Sequence, residues 1–508
     1  MSQIRVLLLV GSIVCSLMPQ LLEAYGLSSL APNDPYPLFT AQYPQTFLLN
    51  RARRCYMFRE CCLQPEWWDV HISAFKQNAN TARDFFKRKV PLGDIYGRWN
   101  MIGLLYDPYV AEISPTLNSF LNPNGALDQV CVEYLRDPAN GDTRKRLGYF
   151  SVPIEYAKHG LRIDSSWLIA CDFGIHGSLS FADIRQVNPR YNDLSPQATP
   201  ICIETLHRQS DGEPVNPCER ENCAVFGTTC DCLKYLEHNL MDKADIVFHE
   251  LGYDTNNFHR TDLEFLNLGC FWRRAFIFNE GDCFYPQFLC IPYITIEGAL
   301  PVSRQKENFK LFAAPFGNNG HAAFAGMLGT TFAFHDTVEV GAEVSATHFF
   351  PRLQCGVHLP TSVYQQTIYP FAADLDVEPG DNWEFSIFMY APRFMGKLSM
   401  YAQYVYTSHS EDRYTIVEDL RLRIPGVRDK TVNISSETTM TISNAPNLPP
   451  FQLRRFAEDS KWEAQLANIG FSYELSPGIS AAFLWQAPLK GRNVYRSTTI
   501  MFTLTGTY

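Results

Sequence analysis

The chain has 508 residues, of which 46% are hydrophobic, 14% aromatic and only 19% charged, and its formal net charge is −10. An acidic balance without a basic stripe excludes a nucleic-acid partner, and the charged fraction falls below the usual quarter. The length admits two or three ordinary domains or one large β-architecture.

Residues 1–24 read as an export signal. Arg5 gives a weak positive start, Val6 to Met18 is an apolar core, Pro19 breaks it, and Ala24 is the candidate cleavage residue. A retained N-terminal anchor is the alternative. Beyond this segment no run of 18 apolar residues occurs. A mature chain embedded in lipid would therefore have to cross as a closed barrel, the one alternative to a spanning helix. Removing Cys15 with the signal leaves 14 of the 15 cysteines. An even, high count in an exported chain favours disulfides over free thiols.

Residues 25–64 form an irregular leader rich in Pro and basic residues, carrying Cys55, Cys61 and Cys62. The last two are adjacent and would bridge to each other only with strain, so each is expected to pair elsewhere. From residue 65 to 508 the expectation is one barrel. Trp67 and Trp68 open a first strand through Val70, Ile72 and Ala74. After the basic loop Lys87-Arg88-Lys89, a second strand is expected at Tyr96–Tyr106. Farther on, Trp167, Ile169, Cys171, Phe173 and Ile175 alternate with polar and small residues, which reads as another strand.

Residues 205–260 read as a cysteine-rich loop. Cys218, Cys223, Cys230 and Cys232 crowd together, and Leu233, Leu236, Leu240, Ala244, Val247 and Leu251 then fall at helical spacing. The four cysteines lack paired C-x-x-C spacing, so disulfides outrank a zinc site. Cys270, Cys283 and Cys290 complete the disulfide candidates. His249-Glu250 begins like a zinc-protease helix, but Tyr253 stands where the second His is needed. No G-x-S-x-G elbow or phosphate-binding glycine loop occurs. No enzyme, metal or cofactor is expected.

From about residue 309 the period of two is sustained. Ala322, Phe324, Gly326, Leu328, Phe332 and Phe334 share one face of an arm; His335-Asp336 turns it. Val338, Val340, Ala342, Val344 and Ala346 then oppose Glu339, Gly341, Glu343, Ser345 and Thr347. A second hairpin joins Trp383–Met389 to Leu398–Tyr406. A third joins Lys461–Leu475 to Ile479–Ala487 across Ser476-Pro477-Gly478. Residues 411–460 read as a long external loop. Arms of this length suit tilted membrane strands, which need about 9–11 residues. A soluble barrel writes the same alternation with its greasy side inward. The arm lengths, the contrast of short turns with long loops, and aromatics at arm ends favour the membrane form. In that form Glu339, Glu343, Glu384 and Glu463 line the lumen, either as a wall that favours cations or paired with lumen arginines.

The last strand alternates Ile500, Phe502, Leu504, Gly506 and Tyr508 with Thr499, Met501, Thr503, Thr505 and Thr507. It resembles the terminal strand of bacterial outer-membrane barrels. With Cys55, Cys61, Cys62, Cys218, Cys223, Cys230 and Cys232, the chain resembles the cysteine-rich major outer-membrane porins of chlamydia-like bacteria. That resemblance is one of architecture and cysteine usage, and this chain is longer than the family's usual members. It implies a bacterial outer-membrane location and an envelope knitted by disulfides.

The fold expected is all-β: a transmembrane antiparallel β-barrel of about 16 strands (14–18), with long external loops and one loop helix. The function expected is a porin passing small polar solutes or ions. The rival is a plugged, disulfide-cross-linked structural or adhesive coat protein. Expected partners are outer-membrane lipid, small solutes or ions, and other envelope proteins through disulfides, with homo-oligomerisation left open.

Overall fold

The structure, a computed structural model, describes residues 68–101, 103–104, 110, 114–121, 149–170, 172–187, 191–193, 240, 242–274, 276–278, 288–334, 338–362, 365, 367–419, 450–476 and 478–507. The expected signal, the leader with its three cysteines, the Cys218–Cys232 cluster, Cys283 and His335-Asp336 lie outside those residues.

Twelve long strands form the wall. They are β1 (Trp68–Ala79), β2 (Glu155–Ala170), β3 (Phe173–Val187), β4 (Phe258–Arg273), β5 (Phe288–Leu300) and β6 (Ala323–Phe334). The rest are β7 (Val338–Phe349), β8 (Asn382–Met395), β9 (Leu398–His409), β10 (Trp462–Ser476), β11 (Ile479–Arg492) and β12 (Thr498–Thr507). Each pairs antiparallel with its sequence neighbours, and β12 returns to β1, so the sheet closes. The seam is continuous: Asp69 through Asn78 pair in step with Thr507 back through Thr498. A short strand, Phe276–Phe278, continues the line of β4 along β5.

Twelve strands is fewer than the 14–18 expected. The apolar run Tyr96–Tyr106 is one reason. Among the described residues there only Trp99–Asn100 is extended, and Trp99, Met101 and Leu104 are all buried in a layer off the barrel end. The Trp167–Ile175 run errs the other way, because it is the end of β2 and the start of β3. Residues 171–172 join the two, and a two-residue link preserves parity. Alternation therefore passes through the hairpin without a break.

The barrel ends differ. At one lie the start of β1, the end of β12, the ends of β2, β4, β6, β8 and β10 and the starts of β3, β5, β7, β9 and β11. Gly396 (φ 67°) and Gly478 (φ 81°) take the left-handed conformation that the tight turns here demand. The other end carries the described parts of the longer connections between the remaining strand ends, and the short 493–497.

Described parts of the long connections pack into a cap. Trp99, Phe150, Phe248 and Phe312 meet Ala79, Tyr156, Ile184 and Phe258 from the inner faces of β1–β4. Two short helices are tied together here: α1 (Pro115–Leu121) and α2 (Ala244–Glu250). Glu250 accepts from Ser114 Oγ, from Thr116 N at 3.1 Å and from Thr116 Oγ1 at 2.8 Å, satisfying donors at the start of α1. This is the carboxylate of the His249-Glu250 pair, and it serves as a helix cap. Of the expected helical stretch, Leu240, Ala244, Val247 and Leu251 are buried in the cap. A second cap unit combines the small sheet of Arg352–Leu359, Phe371–Glu378 and Arg413–Asp419 with helix α3 (Leu453–Ser460).

Candidate functional site

The two faces of the wall are opposite in chemistry. Outward positions on β8 are Trp383, Phe385, Ile387 and Met389, with Trp383 53% exposed; on β12 they are Ile500, Phe502 and Leu504, with Phe502 60% exposed. Phe324, Leu328 and Phe334 on β6 and Val344 on β7 share this outer face. At the short-turn end the outward residues are aromatic on four adjacent strands. Trp68 is opposite Trp167, and Phe173 is opposite Trp272. An apolar belt with an aromatic rim is the exterior that hydrocarbon favours and water does not.

The inner face is polar through the middle of the wall. From β5 to β10, Tyr293 Oη donates to Glu343 Oε1 at 2.6 Å, and Ser386 Oγ donates to Glu343 Oε2 at 2.9 Å. Gln403 Nε2 donates to Ser386 Oγ at 3.0 Å, and Asn468 Nδ2 donates to Gln403 Oε1 at 2.8 Å. Across the seam, His71 Nδ1 bonds Thr505 Oγ1 at 2.8 Å and Ser73 Oγ bonds Thr503 Oγ1 at 2.9 Å. Several charges on β2–β5 are paired: Lys158 meets Glu264, Arg162 meets Asp164 at 2.7 Å, and His176 meets Glu297 at 3.2 Å. Several buried inward atoms have no acceptor or donor, among them Thr295 Oγ1 and Asn468 Oδ1. Water or a polar solute would satisfy them.

Room for this network comes from glycines opposite inward rings. Phe75 faces Gly160, Phe271 faces Gly174, Tyr293 faces Gly329, Phe388 faces Gly341 and Tyr401 faces Gly470, each as a direct register partner. A Cβ at Gly341 would stand 2.2 Å from Phe388 Cζ, and one at Gly329 would stand 2.4 Å from Tyr293 Cζ. The rings therefore lie along the wall, across positions that have no side chain.

The four expected lumen carboxylates separate. Glu339, Glu343 and Glu384 share the inner face with Gly341, Ser386 and Phe388. Glu463 does not. It lies on the outer side of β10 with Ile469, Phe471 and Tyr473, and bonds Lys87 Nζ at 3.3 Å. The cause is a change of character along β10. Toward the loop end its inner face is Trp462, Ala464 and Leu466, packed with Ala323, Phe349, Val405 and Val494. Farther down, the inner face turns polar at Asn468. The charged side of the strand is inside only below the mouth. Cys270 and Cys290 are free thiols on the outer face, opposite Ile296 and Phe332. Adjacent outward neighbours in the wall, not a partner sulfur, surround them.

No metal-holding group of His, Cys, Asp and Glu occurs among the described residues.

No family model matches the chain. No curated protein matches it either. Solved structures that it is similar to include an outer membrane channel from Pseudomonas putida F1, with 6% identity, TM-score 0.42, and cover of 88% of this chain and 97% of that one. Another is the transport unit of the autotransporter AIDA-I from Escherichia coli, at 7% identity and TM-score 0.32, covering 90% and 96%. A third is the NanC porin, at 6% identity and TM-score 0.26, covering 69% and 93%. No residue, ligand or role is carried across from them.

Proposed function

We propose that the chain is an outer-membrane channel through which small polar solutes or ions diffuse along the barrel interior. The observation that carries this reading is the inversion of the wall: hydrophobic side chains face out, and a hydrogen-bonded polar lining faces in. A barrel of twelve strands lies between the eight that side chains fill and the 16–18 that leave a wide channel, so the passage is narrow. At Ser386 and Thr331, both 0% exposed, side chains close the lining over, so conduction requires them to move aside. The midwall glutamates of β7 and β8 face this passage, whereas the basic residues of β2 and β4 are largely held by acidic partners.

A second reading has its own support. Apolar clusters occupy the loop-end mouth on both sides of the barrel, which suits a plugged barrel whose loops act as a coat, cross-linked through cysteines outside the described residues. Reconstitution into a planar bilayer separates the two. Stepwise conductance supports the channel, and a folded, inserted but silent barrel supports the plugged form.

A further inference from the structure

The loop after β1 folds outward over the barrel rim. Its two strands, Thr81–Arg83 and Lys89–Pro91, form a hairpin whose first strand also pairs with Val494–Tyr495. The tip is fixed by Asp84, which accepts from Arg88 N at 2.7 Å and from Arg88 Nε at 2.8 Å. This tip rests on the outer side of β10 and β11. Arg492 lies over the Phe85 ring at 3.8 Å, and Lys87 reaches Glu463. Phe86 is left 70% exposed beside it.

The rim is cationic beyond its internal pairing. Lys89 and Lys490 are exposed in addition to the paired Lys87 and Arg88, and a small, largely apolar cavity is lined by Arg83, Lys490 and Arg496 together with Ala464, Leu466 and Val494. Arg492 Nη1 lies 3.9 Å from Glu463, but Arg492 Nε and Arg496 Nε are buried donors that no acceptor reaches. Two unsatisfied Nε donors, basic side chains and exposed phenylalanines meet where the apolar belt gives way to the loops. We propose that this rim binds the net-anionic phosphate headgroup of a lipid in the surrounding leaflet, the rings entering the acyl boundary and the cations holding the phosphate. The inference rests on the membrane reading above. Guanidinium and ammonium groups pair with phosphate oxygens by charge-assisted hydrogen bonds, and a basic juxtamembrane cluster draws anionic lipid.

The test uses the folded full chain in detergent, probed by native mass spectrometry with phosphatidic acid or phosphatidylcholine of the same acyl chains. Phosphatidic acid should be retained at a concentration at least about fivefold lower, the scale of one surface cation. The Lys490→Gln/Arg496→Gln variant should lose that preference, as should Lys87→Gln/Lys89→Gln, which alters only exposed side chains. Arg413→Gln, on an exposed loop strand, should keep it. Equal retention of the two lipids, or a preference that both rim variants keep, overturns the proposal. Inorganic phosphate that displaces the lipid at equal concentration overturns the lipid as its source. Flotation with phosphatidylcholine vesicles is read separately. A chain that floats yet shows no preference sinks this inference alone, and a chain that does not float sinks the membrane reading.

Discussion

Gly329→Ala is the sharpest probe of the lining. The new Cβ would stand 2.4 Å from Tyr293 Cζ and 2.5 Å from its Oη, so the ring must retreat by about 1 Å to reach the 3.4 Å of ordinary contact. Its hydroxyl is the donor held 2.6 Å from Glu343, and the retreat breaks that bond. Overpacking costs ~1–3 kcal/mol, and leaving a buried hydrogen-bonding group unsatisfied costs ~1–3 kcal/mol. Because the displaced ring relieves part of the clash, the expected net loss is about 3 kcal/mol. Urea unfolding in lipid vesicles, followed by tryptophan fluorescence, measures it. In a Tyr293→Ala background the same alanine meets no ring, and its cost should fall below about 0.5 kcal/mol. Equal cost in the two backgrounds would refute the argument that the glycine exists to seat the ring.

Other outcomes follow from the same geometry. Leu328→Arg places a charge in the middle of the outer belt and should lower unfolding stability in vesicles by ~2–4 kcal/mol; a change below about 0.5 kcal/mol would contradict lipid contact there. His358 stacks on Tyr253 at 4.0 Å, and burial pushes its imidazole down to about 4. Its contribution to cap stability should be complete above about 6.5 and be lost as pH falls toward 4, because the unfolded chain takes up the proton first. Asp459 runs the opposite way: burial lifts its carboxyl to about 6 from 3.8, so its contribution is lost as pH rises through 6. Melting profiles from pH 4 to 7.5 should therefore tilt in opposite senses for His358→Gln and Asp459→Asn, and parallel profiles would contradict both. Glu250→Ala strands donors at the start of α1 and should cost ~1–3 kcal/mol, read as faster proteolysis within Pro115–Leu121; an unchanged cleavage rate would contradict its capping role.

The outer belt was legible in the sequence because lipid-facing alternation is a local pattern. Trp383, Phe385, Ile387 and Met389 announce their face without knowledge of any partner strand. The same rule misplaced Glu463, since the mouth of the barrel packs against a cap and the apolar side of β10 there is the inside. It also miscounted strands where apolar runs such as Trp99, Met101 and Leu104 serve the cap and not the wall. The lining network was beyond reach for another reason. Tyr293, Glu343, Ser386, Gln403 and Asn468 are neighbours only once the register of five strands is fixed, and register is set by closure of the whole ring. The glycine seats share that dependence, as nothing near Gly329 in the sequence points to Tyr293.

A scan of single spin-labelled cysteines from position 383 to 390 on β8, in lipid vesicles, tests the orientation of the wall most directly. Oxygen accessibility should peak at 383, 385, 387 and 389, with accessibility to a water-soluble paramagnet low at those positions. The opposite phase, or no period of two at all, would contradict an exterior that faces hydrocarbon.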